Sequence, residues 1–110
     1  MPADAFSLSG KIALITGGTR GIGKAIALAF ARAGAHVVVV GRKAESVQSA
    51  VAEIEGAGGR ATGFAGNVSK ADDTRAMVDH AISTFGGLDI LVNNAAVNPV
   101  FGPVENSGTE

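Results

Sequence analysis

The sequence predicts an α/β chain built as a doubly wound parallel sheet, with strands and helices alternating as βαβαβαβ. Three observations predict it. Short apolar or β-branched runs alternate with segments whose apolar residues recur at helical spacing. Glycines stand at the joints between them. Residues 16–23, reading TGGTRGIG, fall where the first apolar run stops and the first helical pattern starts. Such a strand-to-helix turn lets a diphosphate reach the backbone and meet the positive end of a helix.

The elements follow in order. Residues 11–17 (KIALITG) form an apolar run ending in glycine, as a buried parallel strand should. Ile22, Ala25, Ile26, Ala29, Phe30 and Ala33 lie at helical spacing, and Gly34 closes that helix. Residues 37–40 are four valines, a central-strand signal. Val47, Ala50, Val51 and Ile54 mark a second helix, ended by the loop at residues 56–59. Residues 60–66 make a weaker third strand. Ser69 and Asp72 have the spacing of a capping box and start a third helix. Its predicted inner face is Thr74, Val78, Ala81, Ile82 and Phe85, with Gly86 and Gly87 as the stop. Residues 88–93 (LDILVN) form the fourth strand, and residues 94–110 have no periodicity and read as loop. Right-handed crossovers give a sheet covered on both faces, in the order 3-2-1-4, with a crevice at the carboxyl ends of strands 1 and 4.

Composition narrows the function classes. A 46% apolar and 17% charged chain of 110 residues fits one small globular domain, residues 1–110. A net charge of −1 supplies no general attraction for nucleic acid or an anionic membrane. Without cysteine there is no disulfide, thiolate metal site or thiol nucleophile, and no metal site is expected. Residues 1–10 carry no basic residue or long apolar run, so no secretory signal is read there and the expected location is cytoplasmic. No stretch approaches the length of a membrane span.

Spacing separates the nucleotide folds that place glycines after a first strand. The phosphate-binding pattern G-x-x-x-x-G-K-[ST] is nearly met from Gly18 to Lys24 but fails at Ala25, where the magnesium-ligating hydroxyl belongs. The usual dinucleotide pattern G-x-G-x-x-G fails too, because Ile26 stands at the third glycine. The pattern that fits is T-G-x-x-x-G-I-G, through Thr16, Gly17, Gly21, Ile22 and Gly23, with Asn93-Asn94-Ala95-Ala96 in register at the end of strand 4. In these two motifs the chain resembles the short-chain dehydrogenase/reductase family over residues 8–102. The stretch from Asn94 to Gly102 is similar to its carbonyl-reductase-like branch.

The resemblance implies a Rossmann-type fold and an NADP(H)-dependent oxidoreductase acting on a carbonyl or secondary alcohol. It implies a cofactor site of Gly17, Thr19, Arg20, Gly21, Ile22, Gly23, Arg42, Asn67, Val68, Asn93 and Ala95. Gly17 turns the chain, Gly21 and Gly23 admit the diphosphate, and Ile22 walls the nicotinamide side. NAD-preferring relatives end strand 2 in Asp; here Gly41 stands there, followed by Arg42 and Lys43. Glycine leaves room for a 2′-phosphate, and Arg42 can bind it bidentately, with Arg20 pointing to the same region. NAD(H) is the less favoured cofactor. Asn67-Val68 takes the place of the family's Asp-Val against adenine, and Asn67 can still pair with the base edge through its amide. The main chain from Asn93 to Ala95 would line the ribose, with Ala96 in place of the usual glycine.

Hydride transfer to a carbonyl also needs a proton donor. In the family this is the tyrosine of Y-x-x-x-K, and this sequence contains no tyrosine. The family's catalytic Asn would fall beyond Glu110. The expectation is therefore a cofactor-binding portion truncated after strand 4, with no catalytic residue of its own and no activity alone. His36 and Asp89 open strands at the far end, and His80 and Lys24 lie on helices, so none replaces the acid. The second hypothesis is a non-catalytic nucleotide-binding or assembly module completed by a partner chain, which would bind NADPH without needing a tyrosine. Full-length relatives imply a homo-oligomer through helices after strand 4. The bare chain is expected to be marginally stable or to associate through strand 4.

Overall fold

The computed structural model describes residues 7–94. Their order is β1 (Ile12–Thr16), α1 (Gly21–Arg32), β2 (His36–Gly41), α2 (Ala44–Gly56), β3 (Arg60–Ala65), α3 (Ala71–Phe85) and β4 (Ile90–Asn93). The strands form one parallel sheet ordered β3-β2-β1-β4, the topology the alternating pattern predicts. Ala95, Ala96 and the rest of the predicted loop lie outside the described residues.

Alternation along the two central strands explains why they read as unbroken apolar runs. Ile15, Val37 and Val39 pack with Ala27 of α1 and with Ala50 and Ile54 of α2 on one face. Leu14, Val38 and Val40 pack with Met77 and Ala81 of α3 on the other. Both faces are covered, so residues 12–15 and 37–40 are apolar without alternation. Burying each Val, Leu or Ile side chain contributes about 1.5–3 kcal/mol. The flanking strands are half covered: β3 is largely half-buried, and Leu91 on β4 is 56% exposed beside its fully buried register partner Leu14. The weak strand signal of residues 60–66 is thus an edge position.

Strand 4 begins two residues later than its apolar run. Leu88 packs against the α3 cluster, and Asp89 forms a two-point clamp on Ile12. The Asp89 N–H donates to the Ile12 carbonyl at 2.8 Å, and the Ile12 N–H donates to Asp89 Oδ2 at 2.9 Å.

Three local expectations need correction. On α1 the buried residues are Gly23 and Ala27, with Ile26, Leu28, Phe30 and Ala31 half-buried, while Ile22 is 73% exposed and Ala25 and Ala29 are exposed. Gly23 has no apolar side chain to count, yet its backbone sets the contact and rotates the stripe. On α3, Met77 is buried and Ile82 lies 48% exposed, so the inner stripe runs through Thr74, Met77, Val78, Ala81 and Phe85. The Ser69–Asp72 capping box does not form. Lys70 is the N-cap without a side-chain bond, and Ser69 turns back to Asn67 instead.

Candidate functional site

The glycine turn opens at the carboxyl end of β1. Gly17 (φ +65°) and Gly21 (φ +62°) take left-handed backbone that other residues rarely adopt. Between them the Gly18 N–H donates to the Val40 carbonyl at 3.2 Å, tying the turn to the end of β2. The turn then runs straight into α1. A Cβ on Gly23 would lie 2.0 Å from the Gly17 carbonyl oxygen and 2.7 Å from Asn94 Nδ2. Only a residue without a side chain lets the helix start sit flush on the turn.

Among the described residues, that start has no acidic residue in its first turn. Arg20 at the N-cap is extended and its side chain makes no capping bond. The leading N–H groups and the positive helix end are therefore available to an anion, as a diphosphate requires. Ile22 is exposed in the same first turn.

At the end of β4 a buried hydroxyl joins the two central motifs. Thr16, 1% exposed, pairs in register with Asn93. Its Oγ1 accepts from the Asn94 N–H at 2.8 Å and donates to Asn93 Oδ1 at 3.1 Å, with the Val92 carbonyl at 3.3 Å. The sequence reading gave Thr16 only as a motif position and Asn94 only through the main chain from Asn93 to Ala95, and it foresaw no bond between them. The signal for Thr16 was present: a polar residue ending an otherwise apolar strand asks for a buried partner.

The ends of β2 and β3 form the third side. Gly41 is buried, and a Cβ there would meet Thr19 Cγ2 at 2.5 Å and Val47 Cγ2 at 3.1 Å. The space beside Gly41 is thus filled by the Thr19 methyl, where the sequence reading left it for a phosphate. Arg42 next to it is exposed, as is Arg20, and neither forms an ion pair among the described residues. Lys24 does, with Glu53 Oε1 at 2.7 Å.

The Gly66 N–H donates to the Gly41 carbonyl at 2.8 Å, which brings Asn67 to the β2 end. The Asn67 N–H donates to Asp73 Oδ2 at 2.8 Å, and Asn67 Oδ1 accepts from Ser69 N–H and Oγ at 3.0 and 2.7 Å. The Val68 side chain packs on the α3 cluster.

The fold therefore gathers Gly17, Thr19, Arg20, Gly21, Ile22, Gly23, Arg42, Asn67, Val68 and Asn93 around the carboxyl ends of the strands. Ala95 lies outside the described residues. The candidate acids set aside lie elsewhere. His36 opens β2 and stacks on Phe85 with ring centroids 4.9 Å apart. His80 Nε2 is 3.2 Å from Thr62 Oγ1, on α3. Among the described residues no three His, Cys, Asp or Glu side chains cluster as metal ligands, and no helix is long and apolar enough to cross a membrane.

Comparison with known proteins agrees with the fold. The family model described as short chain dehydrogenase matches residues 11–108. Dehydrogenase/reductase SDR family member 4 from Homo sapiens is 50% identical over 97 residues, covering 88% of this chain and 35% of its own length. The chain thus spans about a third of the length of such relatives. A 7α-hydroxysteroid dehydrogenase solved with NADH and 7-oxo glycochenodeoxycholic acid is similar at a TM-score of 0.81 and 43% identity, over 84% of this chain and 36% of its own. L-Sorbose reductase from Gluconobacter frateurii, solved with NADPH and L-sorbose, matches at 0.77 and 39% identity, over 89% of this chain and 36% of its own.

Proposed function

The chain belongs to the short-chain dehydrogenase family, and on that premise we propose that it carries the NADP(H) site of an oxidoreductase acting on carbonyls or secondary alcohols. The observation that carries the reading is the uncapped, acid-free start of α1, seated on a turn that only glycine permits at Gly23. Gly17, Gly21 and Gly23 would hold the diphosphate, with Thr16 fixing the Asn93 end of β4 across the crevice. Neighbours bound to NADH and to NADPH both exist, so the choice of nucleotide rests on the end of β2. There a carboxylate is replaced by Gly41, and Arg42 and Arg20 lack an acidic partner among the described residues. These two cations favour a 2′-phosphate.

The cofactor supplies the hydride when bound. The proton must come from an acid, and the 110 residues contain no tyrosine, so this stretch by itself binds without turning over. The same reading places the protein in the cytosol, as a homo-oligomer that acts on small molecules and not on nucleic acid.

Titration with NADPH and NADH, followed by nicotinamide fluorescence, tests the proposal. NADPH should bind at least about tenfold more tightly, a difference of about 1.4 kcal/mol. Equal or inverted affinities would overturn the NADP(H) assignment, and no binding of either would overturn the nucleotide site. Turnover by a preparation whose intact mass shows a 10.9 kDa species alone would refute binding without catalysis.

A further inference from the structure

β3 is an edge strand: it pairs with β2 on one side, and among the described residues no strand covers the other. Its residues, RATGFA, include no proline or lysine, and the one charge is Arg60 at the start, so the edge lacks the usual guards against pairing. Alternation divides the strand between two faces. Ala61 and Gly63 face α2, where a Cβ on Gly63 would meet Val47 and Val51. Arg60, Thr62 and Phe64 face α3: Thr62 Oγ1 lies 3.2 Å from His80 Nε2, and Phe64 packs on the α3 cluster. The two ends of that second face are complementary in charge. Arg60 is exposed and forms no ion pair among the described residues. At the other end, a Cβ on Gly66 would lie 2.6 Å from the Phe64 ring and 3.5 Å from Asp73 Oδ2, so an aromatic ring and a carboxylate sit together there.

We propose that the β3 edge docks a second copy of this chain, paired antiparallel about a two-fold axis at Thr62. Opposite residues in an antiparallel pair share a face, so this register sets Thr62 against Thr62 and Arg60 of each copy against Phe64 of the other. Each guanidinium then meets a ring, with the Asp73 carboxylate beside it, and the symmetry makes that contact twice. The opposite face closes as well. α2 lies over β2 and β3, beside an open groove along the β3 edge lined by Ala44, Gln48, Ala52 and Glu55. With strands about 4.8 Å apart, the two copies of α2 come to lie roughly 10 Å apart across the axis, the distance at which helices pack. The symmetry runs them antiparallel, so Glu55 of one copy meets the Ala44–Gln48 end of the other and no like charges oppose.

The test uses the full chain carrying Leu91→Lys, which removes the exposed apolar position of the opposite edge, β4. Sedimentation equilibrium should show that chain passing between monomer and dimer. Arg60→Glu sets like charges against Asp73 and should raise the dissociation constant by about tenfold or more. The sequence contains no cysteine, so Thr62→Cys places a single thiol on the proposed axis. Under mild oxidant it should form a covalent dimer at least about tenfold faster than Ser83→Cys, an exposed position on α3. A chain that stays monomeric, a dimer indifferent to Arg60→Glu, or cross-linking at Thr62→Cys no faster than at Ser83→Cys each overturns the inference. Circular dichroism checks the fold of every variant, and if Thr62→Cys does not fold, the response to Arg60→Glu decides. The nucleotide site stands or falls separately, by NADPH titration.

Discussion

Gly23→Ala is the most direct perturbation of the site. The added Cβ would sit 2.0 Å from the Gly17 carbonyl oxygen, 2.7 Å from the Gly17 carbonyl carbon and 2.7 Å from Asn94 Nδ2. To reach even 3.0 Å from that oxygen, α1 or the turn must retreat by roughly 1 Å. Retreat is resisted on both sides, because Ala27 one turn later is fully buried and Ile15 behind it packs in the same cluster. Two terms oppose each other. Ala is the better helix former by about 0.8–1 kcal/mol. Overpacking against backbone costs about 1–3 kcal/mol, and the Gly17 carbonyl is backbone that cannot swing aside. The clash should win, leaving a net loss of up to about 2 kcal/mol in urea denaturation. NADPH affinity should fall by about tenfold or more, since the displaced groups are those proposed to meet the diphosphate. Gly56→Ala is the control: it ends α2, has nothing within 4 Å of its Cβ position, and should gain about 0.5–1 kcal/mol. A Gly23→Ala chain as stable as the parent and equally able to bind NADPH would refute the packing argument.

Other perturbations separate the remaining contributions. Arg42→Ala should weaken NADPH by about tenfold or more, through loss of a charge-assisted bond of about 1.5–3 kcal/mol, and leave NADH within twofold to threefold; equal losses would show that Arg42 does not meet the 2′-phosphate. Thr16→Val keeps the volume but strands the Asn94 N–H and Asn93 Oδ1, at a cost of about 1–3 kcal/mol in denaturant, and Thr16→Ser should recover most of it. Glu53→Gln breaks the pair with Lys24, whose side chains are 33% and 48% exposed, and should shift stability by no more than about 0.5 kcal/mol. Leu91→Lys charges the exposed apolar position of β4 and should reduce any concentration-dependent association seen by sedimentation; unchanged association would place the contact elsewhere.

By itself the sequence determined the order of elements and the parallel 3-2-1-4 sheet. Doubly covered strands are apolar along their interior, and residues 12–15 and 37–40 could satisfy nothing else. It also announced the turn, because positive φ and close approach exclude most residues and leave glycine as a visible trace. Tertiary structure decided what contact alone can decide. The inner stripe of α1 is set by Gly23, which periodicity passes over because it has no side chain, and the stripe of α3 turns Met77 inward and Ile82 outward. The expected capping box gave way because Ser69 found a nearer acceptor in Asn67. Thr16, Asn93 and Asn94 meet across 77 and 78 residues of chain. Local pattern carries no information about partners that far apart; only the pairing of β1 with β4 brings them within reach of one hydroxyl.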